Sequence, residues 1–138
     1  MIRPICRDTI LLSKPAADAA NSDLPAAADL RDTLLANAHR CVGMAANMIG
    51  IPKRIIAILP PGASQPIVML NPRIIASSGE YETEEGCLSL PGTRKTKRFR
   101  VITVRWLNES MQPQKRRFEG CPAQIIQHEI DHCSGILI

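Results

Sequence analysis

The run Gln127-His128-Glu129-Ile130-Asp131-His132 places two imidazoles and a carboxylate close together. On a helix, residues four apart lie about 40° apart around the axis and one turn apart along it. His128 and His132 can therefore aim ring nitrogens at one ion, and neutral imidazole suits divalent transition metals. Glu129 borders that face and can reach a water held there, where a carboxylate acts as general base. The plainer reading is a pair of surface histidines on an amphipathic helix. A chance His-Glu-x-x-His in so short a chain arises on the order of one time in a few hundred at average composition. The chain has 3 histidines, and two of them fall in this run. The metal reading is therefore the stronger.

A metal needs a third ligand. Zinc proteases with such a helix take it from a downstream Glu or His, and here only Cys133-Ser134-Gly135-Ile136-Leu137-Ile138 follow. Cys133 lies about 140° around the helix from His128 and about 100° from His132, so it belongs to the core. Cys121 is two turns back, roughly 10 Å along the axis, too far to share the ion. The third ligand must come from upstream. Cys87, in Glu84-Glu85-Gly86-Cys87-Leu88-Ser89-Leu90-Pro91-Gly92, is the best candidate. Gly86 permits close backbone approach, and a thiolate beside a dication has a depressed pKa. Taken alone, Cys87 reads equally well as a buried core thiol; Cys6, Cys41 and His39 are weaker candidates. Three protein ligands leave a position for water or substrate, the catalytic type of site.

The chain must supply the scaffold for these residues within 138 positions and 15.1 kDa, one domain's length, so residues 1–138 read as a single domain. Hydrophobic residues at 45% and charged residues at 22% are globular proportions and exclude a disordered chain. No run approaches the roughly 18 apolar residues of a membrane span, and Met1 to Asp8 lacks the apolar centre of a secretory signal. A soluble, cytoplasmic protein without membrane contact is expected. With 1 Trp, 1 Tyr and 2 Phe, the core must be aliphatic, and base-stacking platforms are disfavoured. A net charge of +4 permits contact with an acidic partner such as RNA without establishing it. The basic clusters Arg94, Lys95, Lys97, Arg98, Arg100 and Lys115, Arg116, Arg117 read as solvated strand faces and turns. The 5 cysteines form no tight pairing pattern and read as free thiols or ligands.

The first fifteen or so residues read as an extended arm with turns. A helix is expected from Asp23 to Arg40, with cap-type residues at Ser22 and Asp23, Pro25 in its first turn, and an apolar stripe of Leu24, Ala27, Leu30, Leu34 and Ala38. Cys41 to Gly50 reads as a small-residue turn. Arg54 to Leu59 is a buried strand ended by Pro60-Pro61-Gly62, and Ile67 to Leu70 is another ended by Asn71-Pro72. Ile102, Val104 and Trp106 alternate with Thr103, Arg105 and Leu107 as in a half-buried strand. Asn108-Glu109-Ser110 turns it into a partner ending near Phe118. The last element is a helix from about Pro122 to Cys133, with Gly135 as its C-terminal cap. Glu80, Glu82 and Glu84 decorate an exposed strand edge, and Asp131 stands beside the metal helix, at the surface or supporting the ligands. These elements imply an α+β fold, antiparallel β-sheets packed around a central C-terminal helix that carries His-Glu-x-x-His.

The combined motifs resemble those of the peptide deformylase family, which carries Gly-x-Gly-x-Ala-Ala-x-Gln, then Glu-Gly-Cys-Leu-Ser, then His-Glu-x-x-His. The second is complete at Glu85 to Ser89 and the third at His128 to His132, with matching spacing over nearly the whole chain. The resemblance implies removal of the formyl group from the N-terminal methionine of nascent polypeptides. It implies a metal held by Cys87, His128 and His132, Fe²⁺ in most of the family and replaceable by Zn²⁺ or Ni²⁺. Glu129 would activate the attacking water and pass a proton to the departing amine. Main-chain groups near Val42, Gly43 and Gly86 would pair with the peptide, Val42 and Ile125 would line the methionine pocket, and Arg94 would contact the peptide further along. Transient ribosome contact is a family possibility, although a long C-terminal helix that mediates it in some relatives is not expected here.

The first motif departs from the family's. Cys41 stands in place of the first Gly and Met48 in place of Gln, while Gly43, Ala45 and Ala46 are kept. In the family that Gln and the Leu88 backbone N–H stabilise the oxyanion. A thioether has no hydrogen to donate, and losing one such donor costs ~10²–10³ in rate. Either Asn47 or a water supplies the donor, or the enzyme is weaker than its relatives. Two further readings are a changed N-acyl specificity and a metal-stabilised module that binds peptide or RNA without hydrolysis. The intact Glu129 argues against the last.

Overall fold

The computed structural model describes residues 1–137. Three helices, α1 (Thr9–Leu12), α2 (Leu24–Ala36) and α3 (Cys121–Cys133), accompany five strands: β1 (Gly43–Ala45), β2 (Ile55–Ile58), β3 (Ile67–Cys87), β4 (Leu90–Leu107) and β5 (Pro113–Glu119). The strands form one antiparallel sheet in sequential order, so each strand pairs with the next. The fold is α+β, with α3 packed against β1, β2, β4 and β5. No helix among the described residues is long and apolar enough to cross a membrane.

The core is aliphatic, as the composition requires. Ala27, Leu30 and Leu34 of α2 are buried, with Ile55, Ile56, Ala57 and Ile58 of β2, and Ile102 and Val104 of β4. α2 is shorter than its apolar stripe suggested. Asn37 leaves helical geometry at φ −110°, and its side-chain amide donates to Thr33 O at 2.8 Å. Residues 37–40 form a turn, and Ala38 is exposed rather than part of the stripe. The N-terminal arm contains α1, which Asp8 caps by accepting from Ile10 N. Cys41 to Gly50 is also more ordered than a plain turn: β1 is followed by a 3₁₀ segment, Ala46–Ile49.

The largest departure from expectation is β3. It does not stop at Asn71-Pro72 but continues to Cys87. Pro72 cannot donate to a ladder, and the structure accommodates it where β2 has already ended, with a register shift between Leu70 and Arg73. Asn71 takes φ 53° there, with its side chain locked on Ala19 by bonds of 2.7 and 2.9 Å. Beyond it β3 and β4 form a long, largely polar hairpin. Glu82 faces Lys97 and Glu84 faces Lys95 across the ladder, opposite charges that favour this register. The hairpin turns at Leu88 and Ser89, which puts Cys87 at its tip.

The N-terminal arm is tied to the end of the helix that carries the histidines and to the 3₁₀ segment. Ala16 N donates to Cys133 O at 2.7 Å, and Cys6 N donates to Met48 O at 2.6 Å. Gly135 follows α3 at φ 78°, and a Cβ there would lie 2.5 Å from Ser13 O. Gly135→Ala is therefore expected to destabilise the protein by about 2 kcal/mol, measured as a lower urea midpoint with an unchanged slope. A midpoint equal to that of the parent protein would show that the arm yields freely.

Candidate metal centre

Helix α3 runs from Cys121 to Cys133, with Pro122 in its first turn, where no N–H is needed. One face of it is buried: Ala123, Ile125, Ile126, His128, Glu129, His132 and Cys133. Gln127 pins this helix to β4. Its side chain accepts from Phe99 N at 2.7 Å and donates to Phe99 O at 2.8 Å, satisfying both backbone groups of one residue. Helix and hairpin tip are thus held face to face.

There, Cys87, His128 and His132 bring one sulfur and two ring nitrogens within 4.8 Å of one another. Tetrahedral bonds of about 2.0–2.3 Å would separate such atoms by roughly 3.3–3.6 Å, so the cluster is of metal-binding size. His128 Nδ1 donates to Glu85 Oε1 at 2.8 Å. With Nδ1 engaged by Glu85, Nε2 is the nitrogen left to serve a metal, and it faces His132 Nε2 at 3.0 Å. Two imidazoles so close cannot both be protonated. Burial opposes charge on His128, yet hydrogen bonds to Cys87 and Glu85 and the charge of Glu129 raise it to about 10. Burial and the neighbouring His128 push His132 down to about 3. Cys87, His128 and His132 would be the residues to hold a dication here, and this donor set suits a borderline transition metal. Cys6, Cys41, Cys121, Cys133 and His39 lie outside the cluster.

Glu85 joins the site to the rest of the fold. Its carboxylate accepts from His128, from Arg98 Nε at 3.1 Å and Nη2 at 2.7 Å, and from Gln124 at 2.9 Å. Burial disfavours its charge, but hydrogen bonds from His128, Arg98 and Gln124 prevail and lower it to about 2. Arg98 also reaches Asp131 at 2.7 Å. Arg98 is therefore no solvated strand cation; it is 3% exposed. Asp131 is engaged with it and supports the ligand helix. The signal was present in the alternation of Ile102, Val104 and Trp106: carried four residues back, it puts Arg98 on the buried face. The other basic residues read as solvated largely are so: Lys95, Lys97, Arg100, Lys115, Arg116 and Arg117 are exposed.

Beside the ligands, Glu129 is 4% exposed, and its Oε1 is a buried oxygen without a hydrogen-bond partner. Burial raises its pKa to about 7, with His128 pulling the other way. A carboxyl near neutrality both accepts and returns protons readily. Gly43 makes room for it: a Cβ there would stand 2.8 Å from Glu129 Oε2 and 2.6 Å from Ile125 Cγ2.

Glu85, Cys87, His128 and Glu129 line a cleft of about 620 Å³, together with Val42, Gly43, Met48, Gly86, Leu88 and Ile125. Val42 is exposed at the cleft and Ile125 is buried in its wall. Leu88 N–H, in the hairpin turn, donates to no acceptor among the described residues. Arg94 is not part of the lining; its guanidinium turns back to Pro91 O at 3.3 Å. Met48 lines the cleft, and its sulfur accepts from Ala45 N at 3.4 Å. Asn47 is not among the residues that line the cleft; its amide donates to His132 O at 2.8 Å, on the side of helix α3.

Removing the charge of Glu85 leaves Arg98 with Asp131 as its carboxylate partner and weakens the hydrogen bond that orients the His128 ring. Glu85→Gln should weaken Zn²⁺ affinity about 10- to 100-fold in a chelator competition, with the fold retained by circular dichroism. Unaltered affinity would show that the ligands hold their geometry without Glu85.

Comparison with known proteins places this geometry. Residues 3–138 match the polypeptide deformylase family model. A peptide deformylase of Clostridium beijerinckii is 47% identical over 138 residues, covering 100% of both chains. One from Aquifex aeolicus is 41% identical over 100 residues, 69% of this chain and 59% of that protein. A Legionella pneumophila peptide deformylase structure superposes with a TM-score of 0.87 at 36% identity, covering 99% of this chain and 83% of that one. A Met-Ala-Ser-bound class I type b peptide deformylase from Acinetobacter baumannii gives 0.84 at 32% identity, covering 99% and 97%. A sulfur and two imidazoles converging beside a buried glutamate, on a chain that matches the family model from residue 3 to 138 and the Clostridium protein over its whole length, make this protein a member of the polypeptide deformylase family.

Proposed function

We propose that this protein hydrolyses the N-terminal formyl group from the initiator methionine of nascent polypeptides in the cytoplasm, with Cys87, His128 and His132 holding the metal. The observation that carries the reading is the convergence of those three donor atoms beside the unpartnered Glu129 carboxylate in an open cleft. The peptide Met-Ala-Ser bound to the Acinetobacter relative supports a peptide substrate. Fe²⁺ is the proposed native metal, with Zn²⁺ or Ni²⁺ as substitutes; one thiolate and two imidazoles suit all three. The metal when bound supplies Lewis acidity, polarising the formyl carbonyl and making water easier to deprotonate.

The residues of the chain do the rest. Glu129 takes a proton from the attacking water as its oxygen bonds to the formyl carbon. When the carbon–nitrogen bond breaks, Glu129 returns that proton to the amine of methionine, leaving formate and a free N-terminus. The free Leu88 N–H faces the charge that develops on the formyl oxygen. Main-chain groups of Val42, Gly43 and Gly86 hold the extended peptide, while Val42 and Ile125 contact the methionine side chain. Arg94 would reach the peptide only by leaving Pro91 O. Any ribosome contact is transient and lies outside this cleft.

Met48 sets the rate. With its sulfur serving as an acceptor and Asn47 outside the cleft lining, the oxyanion lacks the side-chain donor that the family's Gln provides. Assayed anaerobically with Fe²⁺ on formyl-Met-Ala-Ser, the protein should release formate, and Glu129→Gln should not. Equal turnover by the two would remove the deformylase assignment. Met48→Gln is expected to raise kcat about tenfold or more, within the ~10²–10³ attributed to one donor. No gain would mean that another group already fills that role.

A further inference from the structure

We infer that Arg40 makes the outer end of the cleft a reader of acidic side chains, favouring formyl-methionyl peptides with a carboxylate at the second or third residue. This rests on the deformylase reading above and deepens it to a sequence preference.

Arg40 lines the same cleft as Gly43 and Glu129. It sits three residues before Gly43, so its Cα lies at most about 10 Å from the position packed on Glu129. An extended peptide covers a similar span in its second and third residues. The formyl end lies at Glu129, so the chain must leave by the solvent side, where Val42 and Arg40 are both exposed.

The guanidinium is held in place rather than free. Nε and Nη2 both donate to Asn37 Oδ1, at 3.2 and 2.8 Å. Asn37 is itself fixed, because its amide nitrogen donates to Thr33 O at 2.8 Å and so turns Oδ1 toward Arg40. Asn37 is neutral and leaves the charge of Arg40 unbalanced. No carboxylate lies within ion-pair distance of Arg40 among the described residues, and its Nη1 has no hydrogen-bond acceptor there. The other charged residue at the exposed rim, Glu84, stands opposite Lys95 in the β3–β4 ladder and has a cation of its own beside it. A pre-oriented guanidinium with free donors recognises a carboxylate at little entropic cost.

The test compares formyl-Met-Asp-Ala and formyl-Met-Ala-Asp with their Asn and Lys counterparts, using the Fe²⁺ enzyme. The parent protein should favour Asp over Asn at one of the two positions by about twofold to fivefold, the scale of an exposed ion pair. The difference should lie in KM, with kcat shared, and should shrink in 0.5 M salt. Arg40→Gln should bring the Asp/Asn ratio to near one, and Arg40→Glu should turn the preference toward Lys. Equal use of Asp and Asn by the parent protein, or a ratio that persists in Arg40→Gln, overturns the inference. Failure to turn over any formyl peptide would instead count against the deformylase reading. Calorimetric binding of Met-Asp-Ala against Met-Asn-Ala, or of Met-Ala-Asp against Met-Ala-Asn, then still measures the same preference without chemistry.

Discussion

The site depends on one buried carboxylate. Glu85 lies on the hairpin two residues before Cys87, yet it receives hydrogen bonds from His128 and Gln124 of helix α3 and from Arg98 of β4. A charge so far from solvent is tolerable only when every lone pair is used, and removing one partner from such a pair typically costs about 3–5 kcal/mol. That penalty keeps the hairpin tip and the helix together. Glu85 also engages Nδ1 of His128, which leaves Nε2 available as a ligand. The ion pair therefore gives geometric definition more than net stability.

Close approach is the second constraint. Helix α3 carries Glu129 against β1 because position 43 has no side chain to prevent it. The same approach removes Glu129 from water and raises its pKa toward neutrality, as proton transfer requires. On the adjoining 3₁₀ segment, Met48 and Asn47 hold their own backbone surroundings together, through Ala45 N and His132 O. In this chain both side chains therefore serve the local structure of that segment.

Several elements were legible because apolar residues recur at the period of the element. The ligand helix, β2 and the inner half of β4 follow that rule, and the two complete motifs on them disclosed the chemistry. The outer hairpin was not legible. Its residues, such as Glu82, Thr83, Lys95 and Thr96, are mostly polar or charged and carry no apolar alternation, so within a strand of 21 residues only Ile67 to Leu70 carry a core signal, and Glu80, Glu82 and Glu84 read no further than an exposed strand edge. Pro72 reinforced the error, since a proline ends most strands; only the absence of a neighbour on that side lets this one pass. Arg98 was misplaced for a related reason. A single cation in a basic run looks solvated until the pairing register turns it inward.

By itself the sequence determined the donor types, their order along the chain, the helix that spaces His128 and His132, and the missing amide at position 48. Those are properties of residue identity and of local periodicity. The tertiary structure alone decided that Cys87, and not Cys41 or Cys6, meets the histidines, that Arg98 and Asp131 support them, and that Asn47 faces away from the cleft. Each of those follows from strand register and helix packing, which bring together residues more than thirty positions apart and which no local pattern encodes.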